Sequence, residues 1–151
     1  LVNVKEEVIK MSFLNKEELK TVSTISVIDK ITGPNFDVVD DIVQESINLM
    51  KGYLSRYYDA EAIFSARGND RHRTVLKRLK DIVIYELYER HTREQNAVAA
   101  RRFNEAMKWL EELNSGELAD KTLPPIPPTD DPAGTSGEMR FGGNKQYPSI
   151  Y

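Results

Sequence analysis

Apolar positions along this chain recur with helical spacing over three long stretches. In 37–57, Val39, Val43, Ile47 (beside Ser46), Met50, Leu54 and Tyr57 fall on one stripe. Asp37, Asp40 and Asp41 stand in its opening turns, where the helix dipole favours anions. In 71–91, Leu76, Leu79, Val83 and Leu87 form one face, and Ile82, Ile84, Tyr85 and Tyr88 widen it. A helix that apolar needs burial on more than one side, so 71–91 is expected to be the central helix. The third stretch runs to about Asn114, with Val98, Ala99, Phe103, Ala106, Leu110 and Leu113 on its stripe and Met107 and Trp109 flanking. Thr92 with Gln95 three residues on reads as its capping box, and Gly116 fits the position just past its end.

Shorter pieces precede and connect these. Asn15 and Glu18 make a capping box for a short helix ending near Thr21 or Val22. Ile25, Ile28 and Ile31 mark a second short helix over 24–31, closed by Gly33-Pro34, although its β-branched content lowers its propensity. Residues 59–70 read as a connector with one apolar cluster, Ile63-Phe64, and a turn at Gly68-Asn69-Asp70. No strand pair is visible, and the short gaps imply antiparallel neighbours. The expected fold is all-α, a four-to-five-helix bundle.

Past residue 120 the material changes. Six of the seven Pro and four of the eight Gly lie there. Leu123–Pro128 is a polyproline II segment, semi-rigid and extended, and the Asp130–Glu138 stretch is built for flexibility. Apolar residues then return: Met139, Phe141, Tyr147, Ile150 and Tyr151. A solvated tail has no reason to end this way. Either these side chains pack back on their own body, or they anchor an extended arm on another subunit. The expected organisation is a leader or disordered N-terminus at 1–11, a helical domain at 12–120 and an extended C-terminal arm at 121–151. The chain opens on Leu1, and codons for residues 5–10 can spell a strong bacterial ribosome-binding sequence directly ahead of Met11. Met11 is therefore read as the initiator and 1–10 as translated leader; a short amphipathic helix is the alternative.

Composition narrows the functions. With 151 residues, 40% hydrophobic and 30% charged, the chain can build a core. No apolar run approaches the roughly 18 residues of a membrane span, and no secretory h-region is present, so no membrane partner is expected. There is no Cys, and the two His have no partners at metal spacing, so no metal or cofactor is expected. No nucleophile elbow, phosphate loop, dinucleotide fingerprint or zinc-protease motif occurs. Carboxylate pairs such as Asp40-Asp41 and Glu111-Glu112 are adjacent, hence about 100° apart on a helix, and do not converge. No enzyme is expected. The net charge of −3 also argues against a protein that lives by gripping phosphates.

One charge cluster runs against that balance. Arg67, Arg71, Arg73, Lys77, Arg78 and Lys80 lie close together, and Arg71, His72 and Arg73 crowd a helix N-terminus. Cations there are unfavourable by about 0.3–1 kcal/mol each. Two readings stand: a solvated face balanced by carboxylates from other helices, or a contact patch (Arg67, Arg71, Arg73, Lys77, Arg78) for an acidic partner or a phosphate backbone. Periodicity does not say whether a second group, Arg90, Arg93, Arg101 and Arg102, continues the same band. Tyr53, Tyr57, Tyr58, Tyr85 and Tyr88 read as core residues with hydroxyls at the rim rather than a base-stacking platform.

The order of motifs is similar to a known one. F-L-x-K-E-E-L at Phe13–Leu19 is followed by I-x-L-M-x-x-Y-L-x-x-Y-Y at Ile47–Tyr58. Then come L-K-x-L-K-D-I-V-I-Y-E-L-Y at Leu76–Tyr88 and F-N-E-A-M-K-W-L-E-E-L-N-S-G at Phe103–Gly116. Over about 12–120 this resembles the Mu-like phage head–tail family of small helical proteins and, more broadly, the head–tail connector (adaptor) proteins of tailed phages. The resemblance implies an α-helical, non-enzymatic protein, assembled in the bacterial host cytoplasm and residing in the virion at the head–tail junction. It implies a homo-oligomeric ring beneath the portal protein, which extends the DNA channel and offers a platform to tail or further neck proteins. DNA would pass through the lumen without specific binding, and C-terminal arms in such connectors often reach the portal or neighbouring subunits. The alternative is a small helical nucleic-acid-binding or regulatory protein that uses the basic cluster Arg67–Lys80.

Overall fold

The computed structural model describes residues 12–129, apart from Val22, Thr24, Pro34, Asn35 and Glu94. The leader assignment for 1–11 therefore lies outside the described residues. A 3₁₀ helix at Lys16–Thr21 leads into α1 (Ile25–Thr32) and α2 (Phe36–Leu54). A short α3 (Ala60–Ser65) and a 3₁₀ turn (Gly68–Asp70) connect to α4 (Arg73–His91) and α5 (Ala97–Ser115). Among the described residues the architecture is all-α, and its β feature is an isolated antiparallel bridge between Tyr58 and Pro125.

α4 takes the central place that its pattern predicts. It packs against α5, α2 and α1. Ile82, Val83 and Ile84 are consecutive and all buried. Neighbours on a helix point about 100° apart, so such a run needs cover on several sides. α2 supplies Val39, Ile42, Val43, Ile47, Met50 and Leu54 to the same core. Ser46, also buried, sheds no unpaired hydroxyl into it, because Oγ donates to the Ile42 carbonyl at 2.7 Å. α5 contributes Ala99, Ala106, Trp109, Leu110 and Leu113, and its Phe103 stacks on Tyr85 with ring centroids 4.0 Å apart. α1 forms despite its β-branched residues. Ile28 is buried, and burial against α4 and α2 outweighs the few tenths of a kcal/mol that propensity costs.

The structure corrects four boundary expectations. The stripe ending in Tyr57 stops at Leu54: the Tyr57 and Tyr58 N–H groups both close on the Leu54 carbonyl in a turn, which leaves Tyr57 45% exposed. The 59–70 connector contains a helix. Asp59 Oδ1 accepts from the Ala62 N–H at 3.1 Å, and Ile63 and Phe64 are buried, Phe64 edge-on to Phe13. Thr92 and Gln95 do not cap α5. Thr92 instead ends α4, its N–H and Oγ1 both donating to the Tyr88 carbonyl, and Asn96 caps α5 by accepting from the Val98 and Ala99 N–H groups. Starting at Ala97 also turns Val98, assigned to the stripe, outward at 49% exposure. The Asn15–Glu18 box is reciprocal as expected, each N–H reaching the other side chain at 3.2 Å, although the helix it opens is 3₁₀. Gly116 ends α5 at φ +83°, the left-handed conformation that closes a helix, and a Cβ there would lie 3.4 Å from the Tyr57 hydroxyl.

Candidate functional site

The fold divides the basic cluster. Arg67, although exposed, folds back on the chain: Nη1 donates to the Phe64 and Ala66 carbonyls at 2.7 and 2.8 Å and so satisfies the C-terminal end of α3. Arg71 is held more firmly. Its guanidinium grips both oxygens of Glu18 at 2.9 and 2.6 Å, and also donates to the carbonyls of Phe13 and Gly68. Burial pushes the Glu18 carboxyl up, but the hydrogen bonds from Arg71 and Asn15 and the charges of Arg71 and Lys80 outweigh this. The carboxyl therefore lies below its ordinary value. The Glu18 hydrogen bond, offset in part by burial, raises Arg71.

This arrangement resolves the crowding at the helix start. Arg71 lies outside α4 and is neutralised by Glu18, while His72 is the N-cap. Its Nδ1 accepts from the Val75 N–H at 3.4 Å, and its Nε2 lies 2.6 Å from Thr122 Oγ1. Thr122 Oγ1 in turn donates to Asp120. Burial raises the Asp120 carboxyl, but Thr122 and the His72 ring bring it below its ordinary value.

The same contacts belong to the root of the C-terminal segment. Leu123 is 3% exposed and sits in the core cluster. The Asp120 N–H donates to the Tyr58 hydroxyl at 3.0 Å, and the Asp59 N–H to the Pro124 carbonyl at 2.9 Å. The first residues of the Pro-rich stretch thus lie against α2, α3 and the start of α4. Ile126 and Pro127 then line an open cleft with Lys51, Gly52, Ser55 and Glu61. The five arm anchors, Met139, Phe141, Tyr147, Ile150 and Tyr151, lie outside the described residues.

The remaining cations meet a second group. Arg73, Lys77 and Lys80 from α4 face Arg101 and Arg102 from α5 across a groove of about 470 Å³. Asp81 and Glu105 also line it. Among the described residues, Arg73, Lys77 and Lys80 have no carboxylate within 4.0 Å. Burial lowers Lys80, whose ammonium donates to Thr21 Oγ1 at 3.1 Å. Arg101 pairs with Glu105 at 2.8 Å. Arg78, assigned to the patch, is partly buried beside Asp81 and Glu105 at 4.0 and 3.9 Å. Asp81 itself is 4% exposed, and burial lifts its carboxyl above the ordinary value against the pull of Arg102, Arg78 and Lys77. Arg90, from the second group, is occupied elsewhere by Glu45 and Glu86. Adjacency in sequence had suggested the Arg67–Lys80 run; the groove needs α5 beside α4, which one-dimensional density does not show.

Among the described residues no group of three His, Cys, Asp or Glu is placed to hold a metal, and no helix is long and apolar enough to cross a membrane. A family model described as bacteriophage Mu, Gp36 matches residues 12–140. The chain belongs to the bacteriophage Mu Gp36 family. It is thus a Mu-like phage protein, and membership points to the structural and morphogenesis proteins of such phages. No curated protein and no solved structure matches it. The Gp36 match takes in every helix described above, both sides of the groove, the stem and the acidic stretch after it. Of the five arm anchors it includes Met139, while Phe141, Tyr147, Ile150 and Tyr151 lie beyond it.

Proposed function

We propose that this Gp36-family chain is a head–tail connector (adaptor) of a tailed phage. It assembles as a homo-oligomeric ring under the portal protein, extends the DNA channel, and presents a platform for tail attachment. Its work is mechanical rather than catalytic. The observation that carries this reading is the Gp36 match across 12–140, joined to the connector-like order of the helical motifs from Phe13 to Gly116. The pinned root at Leu123–Pro125 supports it, because an arm that ties subunits together needs a fixed point of departure. A net charge of −3 suits a conduit wall that must not grip phosphates. The alternative, nucleic-acid binding through Arg67–Lys80, has less to draw on where Arg71 spends all three guanidinium nitrogens on Glu18, Phe13 and Gly68.

Quantitative mass spectrometry of purified virions tests the proposal. The chain is expected at a copy number comparable to the portal's. Abundance in infected cells with absence from particles would overturn it.

A further inference from the structure

We infer that the cleft beside the stem is a dock for the apolar end of the chain's own arm, residues 139–151, in the free protein. The cleft holds about 410 Å³ between the last turn of α2, the start of α3 and the stem. Its charged groups and the Tyr58 hydroxyl are already engaged. Lys51 Nζ pairs with Glu61 at 2.9 Å, Asp59 Oδ1 accepts from the Ala62 N–H, and the Tyr58 hydroxyl accepts from the Asp120 N–H. Beside the Ser55 hydroxyl, what remains is mostly carbon: Ile126, 46% exposed, with Pro127 and the Tyr58 ring.

Gly52 points the same way. It stands in the last turn of α2 without a positive φ, in a conformation that any residue adopts. Among the described residues, nothing lies within 4 Å of the place its Cβ would take. A helical Gly is disfavoured relative to Ala, and neither the backbone nor the packing of the body requires one here. Its missing side chain leaves that wall of the cleft bare, open to close approach by an aromatic ring.

The end of the arm carries the matching chemistry. Met139, Phe141, Tyr147, Ile150 and Tyr151 lie in 139–151, whereas 129–138 holds three carboxylates and no large apolar side chain. The occupant is the same copy because the arm begins in the cleft. Pro127 lines it, and Phe141 follows 14 residues later. A flexible chain of that length has a root-mean-square span of about 20 Å, so its end stays near its own cleft. Such a tether gives an effective concentration in the millimolar range, about a thousandfold above that of other copies in a micromolar solution. The dock thus makes a clasp. It covers apolar side chains that water would otherwise surround, and any partner for the arm must first compete with it.

The chain has no Cys, so an introduced pair reports cleanly. Ser55→Cys, on the cleft, with Gly142→Cys, beside Phe141, should close an intramolecular disulfide in the full-length protein, read as monomer on non-reducing gels and by intact mass. Its effective concentration against glutathione should fall at least about tenfold on adding Phe141→Ser, Tyr147→Ser and Tyr151→Ser, which leave the tether and the body unchanged. On the cleft side, Gly52→Leu should raise tryptic cutting at Arg140 at least about fivefold, because cleavage follows the population of the open arm. Leu has better helix propensity than Gly, so this variant should keep or raise its melting temperature. An effective concentration that the three Ser substitutions leave unchanged would reduce the closeness to tether alone and overturn the inference. So would cutting at Arg140 as fast in the parent as in Gly52→Leu, or a disulfide that forms between copies in micromolar solution, which would assign the cleft to a second copy. Virion copy number is independent of these outcomes. A portal-like count with an undocked arm removes the clasp alone, and a docked arm in a chain absent from virions removes the neck role alone.

Discussion

Replacing Arg71 with Met should destabilise the body without touching the groove. Met keeps an unbranched aliphatic side chain and deletes the guanidinium, whose Cζ lies 6.0 Å from the Phe13 ring centroid. The Arg71 and Glu18 side chains are 13% and 27% exposed, so the pair stands between a surface ion pair and a buried one. Surface pairs contribute about 0–1 kcal/mol, and breaking a buried pair costs about 3–5. Solvent screening of Glu18 sets its share at about 1–2 kcal/mol. The lost bonds to the Phe13 and Gly68 carbonyls add about 0.5–1 kcal/mol each. The sum is about 2–4 kcal/mol, or a fall of roughly 5–15 °C in Tm for a chain of this size. Urea and thermal melts of Arg71→Met, Glu18→Gln and the double variant give the total and the coupling between the two side chains.

Acid supplies an independent check on the same pair. Glu18 lies below its ordinary value of 4.5 in the folded state. A carboxylate lowered in this way contributes stability that is fully present above its unfolded pKa and lost as pH falls through the folded one. The gap between the parent and Arg71→Met should therefore be widest near neutrality and narrow below about pH 4.5, leaving the part due to the two carbonyl bonds. Asp81 and Asp40, both raised by burial, act with the opposite sign in parent and variant alike and cancel from the difference. A loss under about 0.5 kcal/mol at pH 7, or a gap that stays constant through the acid range, would refute the structural role given to Arg71.

Two further outcomes separate the observed contacts from those the sequence suggests. Asn96→Ala should cost about 0.5–2 kcal/mol in a denaturant melt and Gln95→Ala less than about 0.5, because Asn96 caps α5; equal losses would return the cap to the Thr92–Gln95 box. A chain cut after Asp120 should melt below one cut after Thr129, because it loses Leu123 from the core. That loss is at least the roughly 2–5 kcal/mol of a buried Leu→Ala change, and identical melts would show that Leu123 adds nothing.

The three long helices were legible because each buries a stripe over about five turns, enough for the period to declare itself. α3 was not. Six residues make fewer than two turns, and its signals, Asp59 ahead and Ile63-Phe64 within, also suit a loop. At the start of α5, Thr92 and Asn96 are both good caps, and only the packing of Ala99, Ala106 and Leu110 chooses between registers. The two readings of the basic cluster could not be separated in the sequence for a different reason. Glu18, which neutralises Arg71, is 53 residues away, and Arg101 and Arg102 come from another helix. Leu123 stands among prolines and reads as tail; its burial depends on Tyr58, Asp59 and His72, brought to it by the bundle.

The pinned root bears on how a ring could close. Head-to-tail contacts between identical subunits give a ring only if each contact repeats the same rotation, and otherwise give open filaments. An arm that hinged freely at residue 121 would impose no such rotation. Here Leu123 is buried, Pro125 pairs with Tyr58, and Thr122 ties Asp120 to His72, so the direction of departure is set by the body. Pro127 and Pro128 then stiffen the stem, each with φ fixed by its ring. In the ring proposed above, that stem would supply a fixed angle between the body and whatever the arm reaches. A fixed direction at the root favours closure; a root without one would join copies without fixing their number.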